Sequence, residues 1–144
     1  MLCRGRNILV VDDIDYNYGV IRSLIEPLGA RVVHAASGKE ALLRLQSEKF
    51  DLVFMDIRMP EMDGLTATRL IRGNPSPFQN ISIIAFTGHT MNEDLDQFRA
   101  AGMDGHFPKP VTFRALISLL ERHLPRDRTP SKVPGANPNL RFSA

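Results

Sequence analysis

Long apolar runs are missing from this 144-residue chain. None approaches the roughly 20 consecutive apolar residues a helix needs to cross a bilayer, so no membrane segment is expected. The opening Met1-Leu2-Cys3-Arg4-Gly5-Arg6 is short and charged, unlike the apolar stretch of a secretion signal. Cysteine is almost absent. The single Cys3 excludes an internal disulfide and fits a reducing compartment, so a cytoplasmic location is expected. Cys3 itself reads as a passive terminal thiol. No internal repeat, DNA-binding helix pair, kinase core or output domain is visible. What is present, at 43% hydrophobic residues, suits one globular domain with a core of its own.

The net charge of +2 is unevenly spread. Residues 125 to 144 carry Arg126, Arg128, Lys132 and Arg141 against Asp127, a balance of +3. The other 14 basic and 15 acidic residues leave −1 on residues 1 to 124. The basic character therefore belongs to the end of the chain, which weakens any case for direct nucleic-acid binding by the domain. Pro125, Pro130, Pro134 and Pro138 punctuate that end, which reads as a Pro-rich linker or flexible tail. Leu140 and Phe142 are its alternative surface anchors. The expected domain is residues 6 to 124.

Within the domain, Asn7-Ile8-Leu9-Val10-Val11 is a continuous apolar run ending in Asp12-Asp13. Val20, Ile21, Leu24, Ile25 and Leu28 then mark one face of a helix that stops before Gly29, with Pro27 loosening its last turn. Residues 31 to 35 form a short strand. Ser37 is a plausible N-cap, with Glu40 at the capping-box position and Ala41, Leu42 and Leu45 facing inward. Leu52 to Met55 is a buried strand ending on Asp56, after which Pro60 and Asp63-Gly64 turn the chain into a helix to about Arg72.

Asn74-Pro75-Ser76-Pro77 is a loop, and Ile81 to Phe86 is a fourth strand leading to Thr87-Gly88. A helix from about Met91 to Ala101 buries Leu95 and Phe98. His106-Phe107 is a very short fifth strand before Pro108-Lys109-Pro110. Phe113, Leu116, Ile117 and Leu120 mark a last helix to about His123. Strand and helix alternate five times, which predicts an α/β fold with a doubly wound parallel sheet and helices on both faces.

In such a sheet the strand exits share one edge, where ligand chemistry is placed. Asp12, Asp13 and Asp56 would meet there with Thr87 and Lys109. Carboxylates this close repel, by about 4 kcal/mol per pair at 4 Å and an effective dielectric near 20. A raised pKa or a bound cation relieves this, and open, hard oxygen ligands suit Mg²⁺. Asp56 is then a candidate nucleophile for phosphoryl transfer, with Lys109 neutralising charge and Thr87 binding a phosphate oxygen.

Five pieces in order carry a resemblance: Val11-Asp12-Asp13, Met55-Asp56-Ile57-Arg58-Met59-Pro60-Glu61-Met62-Asp63-Gly64, Ile84-Ala85-Phe86-Thr87-Gly88, Gly102-Met103-Asp104-Gly105 and Pro108-Lys109-Pro110. Over residues 6 to 124 the chain resembles a response-regulator receiver (CheY-like) domain. The resemblance implies a flavodoxin-like sheet of five strands in the order 2-1-3-4-5. It also makes Asp56 the phosphoacceptor, fed by the phosphohistidine of a histidine kinase or phosphotransfer protein in a two-component relay. Asp13 and Asp56 would be direct Mg²⁺ ligands, with the Arg58 backbone carbonyl; Asp12 would act through water.

Thr87 resembles the switch hydroxyl and Lys109 the partner ammonium, before a cis bond to Pro110. Asn17 is similar to its counterpart in receivers fused to hybrid sensor kinases. Such a domain is no enzyme beyond its own phosphorylation and slow dephosphorylation. Its signal biases the face of the fourth helix, fifth strand and fifth helix, where a phosphorylation-linked dimer is one outcome. His106 departs from the Tyr or Phe usual at the second switch position, and Gly88 from the usual alanine. Arg58 and His89 flank the expected path of attacking water.

Other readings stand beside these. Alone, Asp12 or Asp13 is a helix N-cap, Thr87 a turn residue, and Asp63-Gly64 a turn signal without a chemical role. His34, His89, His106 and His123 lack metal-ligand spacing, and His123 fits a helix-dipole contact. Met55, Met59, Met62 and Met103 read as packing. Asp13-Ile14-Asp15 mimics the two-aspartate motif of a haloacid-dehalogenase-type phosphohydrolase, with Asp13 as nucleophile. A scaffolding pseudo-receiver is the third reading.

Overall fold

The computed structural model describes residues 2–87, 92–108 and 112–124. Lys109, Pro110, Gly88, His89, Met91 and the tail 125–144 lie outside the described residues. The elements are β1 (Asn7–Val11), α1 (Asp15–Ile25), a 3-10 turn (Glu26–Leu28), β2 (Arg31–Ala35) and α2 (Gly38–Ser47). They continue with β3 (Leu52–Asp56), α3 (Gly64–Gly73), β4 (Ser82–Thr87), α4 (Asn92–Ala101), β5 (Gly105–Pro108) and α5 (Phe113–His123). All four strand pairings are parallel, in the order β2-β1-β3-β4-β5. The expected doubly wound topology is the observed one.

Strand alternation divides the interior into two cores. Ile8 and Val10 of β1, with Phe54, Phe86, Ile21 and Leu116, pack beneath α1 and α5. Leu9 and Val11, with Val53, Ile83, Ile71 and Phe98, pack beneath α2, α3 and α4. Because helices cover both faces, β3 is buried at every position, which explains its unbroken apolar sequence.

Local chemistry sets the element ends. After α1 the chain tightens into a 3-10 turn containing Pro27, and Gly29 at φ 102° takes the left-handed position that ends it. Ser37 caps α2, its Oγ accepting from the Glu40 amide at 3.0 Å. The Glu40 carboxylate reaches back to the Ala36 amide at 2.9 Å, one residue before the usual capping-box donor. Asp63 caps α3 by accepting from the Thr66 amide at 2.8 Å.

Several details differ from expectation. β4 runs Ser82–Thr87 rather than from Ile81, whose amide instead closes a turn onto the Phe78 carbonyl. β5 extends to Gly105 and Pro108 because β4 offers partners along its length. On α5, Phe113 is 50% exposed, and Leu119, which lies outside the expected stripe, is buried in the core. Packing also starts before residue 6: Cys3 is fully buried and its amide donates to the Leu28 carbonyl at 2.9 Å. Burial pushes the Cys3 thiol up to about 11, so it is inert for a stronger reason than its terminal position.

His123 lies part-buried in the last turn of α5. Burial holds its imidazole below the usual value, with Asp104 opposing and Arg122 assisting. The unfolded chain therefore binds a proton here more readily than the folded one, near pH 6.5 and below. Stability present above that pH is lost as the pH falls through the lower, folded value. The stability difference between wild type and His123→Gln, from urea unfolding at a series of pH values, should shift against wild type as the pH drops below about 6.5. A pH-independent difference would contradict the assignment.

Candidate functional site

β1 and β3 are in register with Val11 opposite Met55, so the next residues, Asp12 and Asp56, leave adjacent strands side by side. By alternation both follow residues of the α1/α5 core, Val10 and Phe54. Asp12 and Asp56 are buried at 0% and 4% exposure, and Asp13 is exposed. Carboxylate oxygens of all three lie within 4.8 Å of one another. Thr87, at 3% exposure, ends the neighbouring strand β4. The structure thus brings Asp12, Asp13, Asp56 and Thr87 to one edge. Arg58 is exposed in the loop just beyond Asp56.

His106 stands apart from the acids, on β5 opposite Ala85. It is exposed, and its ring lies 6.4 Å from that of Phe98 on α4, tilted by 54°. Its neighbourhood is therefore the α4–β5 surface.

Three residues that periodicity does not single out shape the acid edge. Asp12 Oδ1 accepts from the Ile14 amide at 2.9 Å and from Asn17 Nδ2 at 3.3 Å, which fixes the carboxylate as α1 begins. The Asp12 carbonyl accepts from His34 Nε2 at 2.8 Å, so the His34 proton sits on that nitrogen. His34 is itself held by a Tyr18 ring stacked at 4.4 Å. Asn17 was visible in sequence through family likeness. His34 carried no spacing signal, because its contact crosses from β2 to β1.

Gly64 is the third. Its amide donates to the Ile57 carbonyl at 2.9 Å. A Cβ there would run into the Asp56 carbonyl oxygen and come within 2.9 Å of Met55 Cγ. The turn signal is thus also a seat for the backbone of Asp56. In the same loop Glu61 has φ 69°, and the Met62 amide bonds back to the Pro60 carbonyl at 2.8 Å. This is the hydrogen bond of a tight γ-turn, an uncommon conformation for a side chain to adopt.

Chemically, the edge offers hard oxygen donors and a buried carboxylate beside a hydroxyl. That set suits a divalent cation with oxygen preference. A parallel five-stranded sheet ordered 2-1-3-4-5, with acids at the exits of β1 and β3, is the architecture of a receiver. The chain belongs to the response regulator receiver domain family, whose pattern matches residues 8–121.

Its curated relatives include sensor histidine kinases. It is 37% identical to sensor histidine kinase GacS of Pseudomonas protegens over 124 residues, 81% of this chain and 13% of that protein. It is 36% identical to histidine-protein kinase BarA of Escherichia coli over 126 residues, 88% of this chain and 14% of that protein. The chain spans 12% to 16% of the length of the curated relatives it matches. Among solved structures, chemotaxis protein CheY4 of Vibrio cholerae has a TM-score of 0.78 at 29% identity, over 83% of this chain and 98% of that one. The receiver domain of sensor histidine kinase PA1611 from Pseudomonas aeruginosa has a TM-score of 0.75 at 34% identity, over 83% and 97%. That structure has magnesium coordinated in its active-site cleft. No helix among the described residues of this chain is long and apolar enough to cross a membrane.

Gly64→Ala separates helix propensity from the contact with Asp56. Propensity alone favours alanine by about 1 kcal/mol. The clash predicts the reverse, a loss of about 1–3 kcal/mol in urea unfolding. A variant as stable as wild type would remove Gly64 from the support of Asp56.

Proposed function

We propose that this chain is a phosphoacceptor receiver in which Asp56 takes a phosphoryl group from the phosphohistidine of a histidine kinase or phosphotransfer protein. The supporting observation is the meeting of Asp12, Asp13 and Asp56 oxygens within 4.8 Å. An Asp56 carboxylate oxygen forms the new P–O bond as the P–N bond to the donor imidazole breaks, and that nitrogen leaves with its electron pair. Burial of Asp56 limits the water that competes with the donor. Asp13, Asp56 and the Arg58 carbonyl would hold Mg²⁺ directly, and Asp12 through water. Bound there, the ion offsets negative charge on the transferred group. Lys109 adds a second positive charge in this reading. The Thr87 hydroxyl donates to a phosphate oxygen, and its movement biases the surface of α4, β5 and α5, including His106, toward a partner or second copy.

The receiver unit of this reading is residues 6 to 124, acting in the cytoplasm, with self-phosphorylation and slow self-dephosphorylation as its only turnover. Family membership leaves the rival phosphohydrolase reading, with Asp13 as nucleophile, without a supporting observation.

The test is incubation with acetyl phosphate, or with a phosphorylated sensor kinase, and Mg²⁺, followed by intact-mass measurement. Wild type should gain one phosphoryl group and lose that gain with a chelator. Asp56→Asn should gain none. Asp13→Asn should bind Mg²⁺ more weakly by about tenfold or more in a fluorescence or calorimetric titration. Equal labelling of wild type and Asp56→Asn would sink the proposal.

A further inference from the structure

Arg72, in the last turn of α3, has no part in the chemistry above, yet it ties three segments together. Its Nε–H donates to the Gly102 carbonyl at 2.9 Å, and its terminal nitrogens donate to the Gln79 carbonyl at 2.7 Å and Asp104 Oδ2 at 2.8 Å. The same Asp104 oxygen accepts from the Ile83 amide at 2.9 Å, and the Asp104 amide donates to the Ile83 carbonyl at 2.8 Å. Gln79 closes the loop by donating to the Arg72 carbonyl at 2.8 Å. Gly102, at φ 105°, turns the chain out of α4 against the Arg72 stem, where a Cβ would come within 2.7 Å. A planar guanidinium serves these divergent acceptors together; an ammonium is a point charge and does not.

Phe98 holds the middle of α4 to the core, with Leu95 packed partly against it. A cleft of about 160 Å³ lies between α4 and β5, lined by Leu95, Phe98 and Arg99 of α4, by His106, and by residues 103–105 at the anchored end. The cleft leaves the β5-facing side of α4 open beside Leu95 and Arg99, whereas Arg72 bonds the far end through Gly102 and Asp104.

We propose that Arg72 is the fixed pivot of α4. It anchors the C-terminal end of the helix to α3 and the start of β4, so that displacement arising near Thr87 rocks the rest of α4 across the cleft. Residues 101–104 stay in place. The trigger rests on the phosphoacceptor reading of Asp56, whereas the anchoring does not.

Amide hydrogen exchange on the full chain tests both parts, in wild type, Arg72→Lys and Asp104→Asn, with and without acetyl phosphate and Mg²⁺. Intact mass reports separately whether Asp56 is modified. Without phosphodonor, Arg72→Lys should speed exchange at Ile83 and Asp104 by about tenfold or more, leaving Leu9 and Val53 unchanged. With phosphodonor, wild type should change at Leu95 and Phe98 but not at Met103 or Asp104, and Arg72→Lys should change at both ends. If Arg72→Lys loses protection at Leu9 and Val53, and so its fold, Asp104→Asn supplies the same comparison, since it keeps an acceptor for the Ile83 amide. Wild-type protection at Ile83 and Asp104 in the variant, or equal changes at both ends of wild-type α4, overturns the pivot. An unmodified Asp56 overturns the phosphoacceptor reading, and the first comparison still decides the anchoring.

Discussion

Two adjacent parallel strands that end on aspartates in register cannot keep those charges apart. Strand spacing of about 4.8 Å brings Asp12 and Asp56 together as surely as it pairs Val11 with Met55. Unrelieved, such a pair costs several kcal/mol outside bulk water. The protein holds the arrangement with rigid surroundings. Asp12 is fixed by the Ile14 amide, Asn17 and His34. Asp56 rests on Gly64 and is the last residue of a fully buried strand. The two hydrophobic cores make that rigidity possible, because helices clamp the sheet from both sides and leave the acid edge little freedom to splay.

Much of this was legible in the sequence, and the pattern of success is physical. Apolar runs ending on Asp12 and Asp56 marked the strands and their exits, since a strand buried on both faces must be apolar throughout. Ser37 and the Gly29 stop were readable because caps depend on neighbours a few residues away. Contacts between distant residues were not readable. Nothing near His34 announces that it meets the Asp12 carbonyl, and the Asp63-Gly64 pair conceals how closely Gly64 approaches Asp56. On α5 the helical period was correct, but which side of the stripe meets the sheet depends on packing. Phe113 therefore lies half in solvent while Leu119 is covered.

The position of His106 has a similar origin. A pleated edge strand sends alternate side chains to opposite faces, and the pairing of His106 with Ala85 places it on the α4 side. Phe98 of the same helix meets its ring and also belongs to the core under α2, α3 and α4. A polar ring at this place keeps one side in contact with an aromatic and the other in water. The acid edge and the α4–β5 surface are thus built from different strands but share the end of β4, where Thr87 is buried.

Cys3 has a use unrelated to the acid edge. The lone thiol of the chain is fully covered and protonated at ordinary pH. An alkylating reagent added in excess therefore reacts only in molecules whose N-terminal segment has lifted from the α1–α5 core. This chain carries its own clock for that opening, without an added label. Because the Cys3 amide is bonded to Leu28, the clock reads the turn closed by Gly29 as well as the chain end.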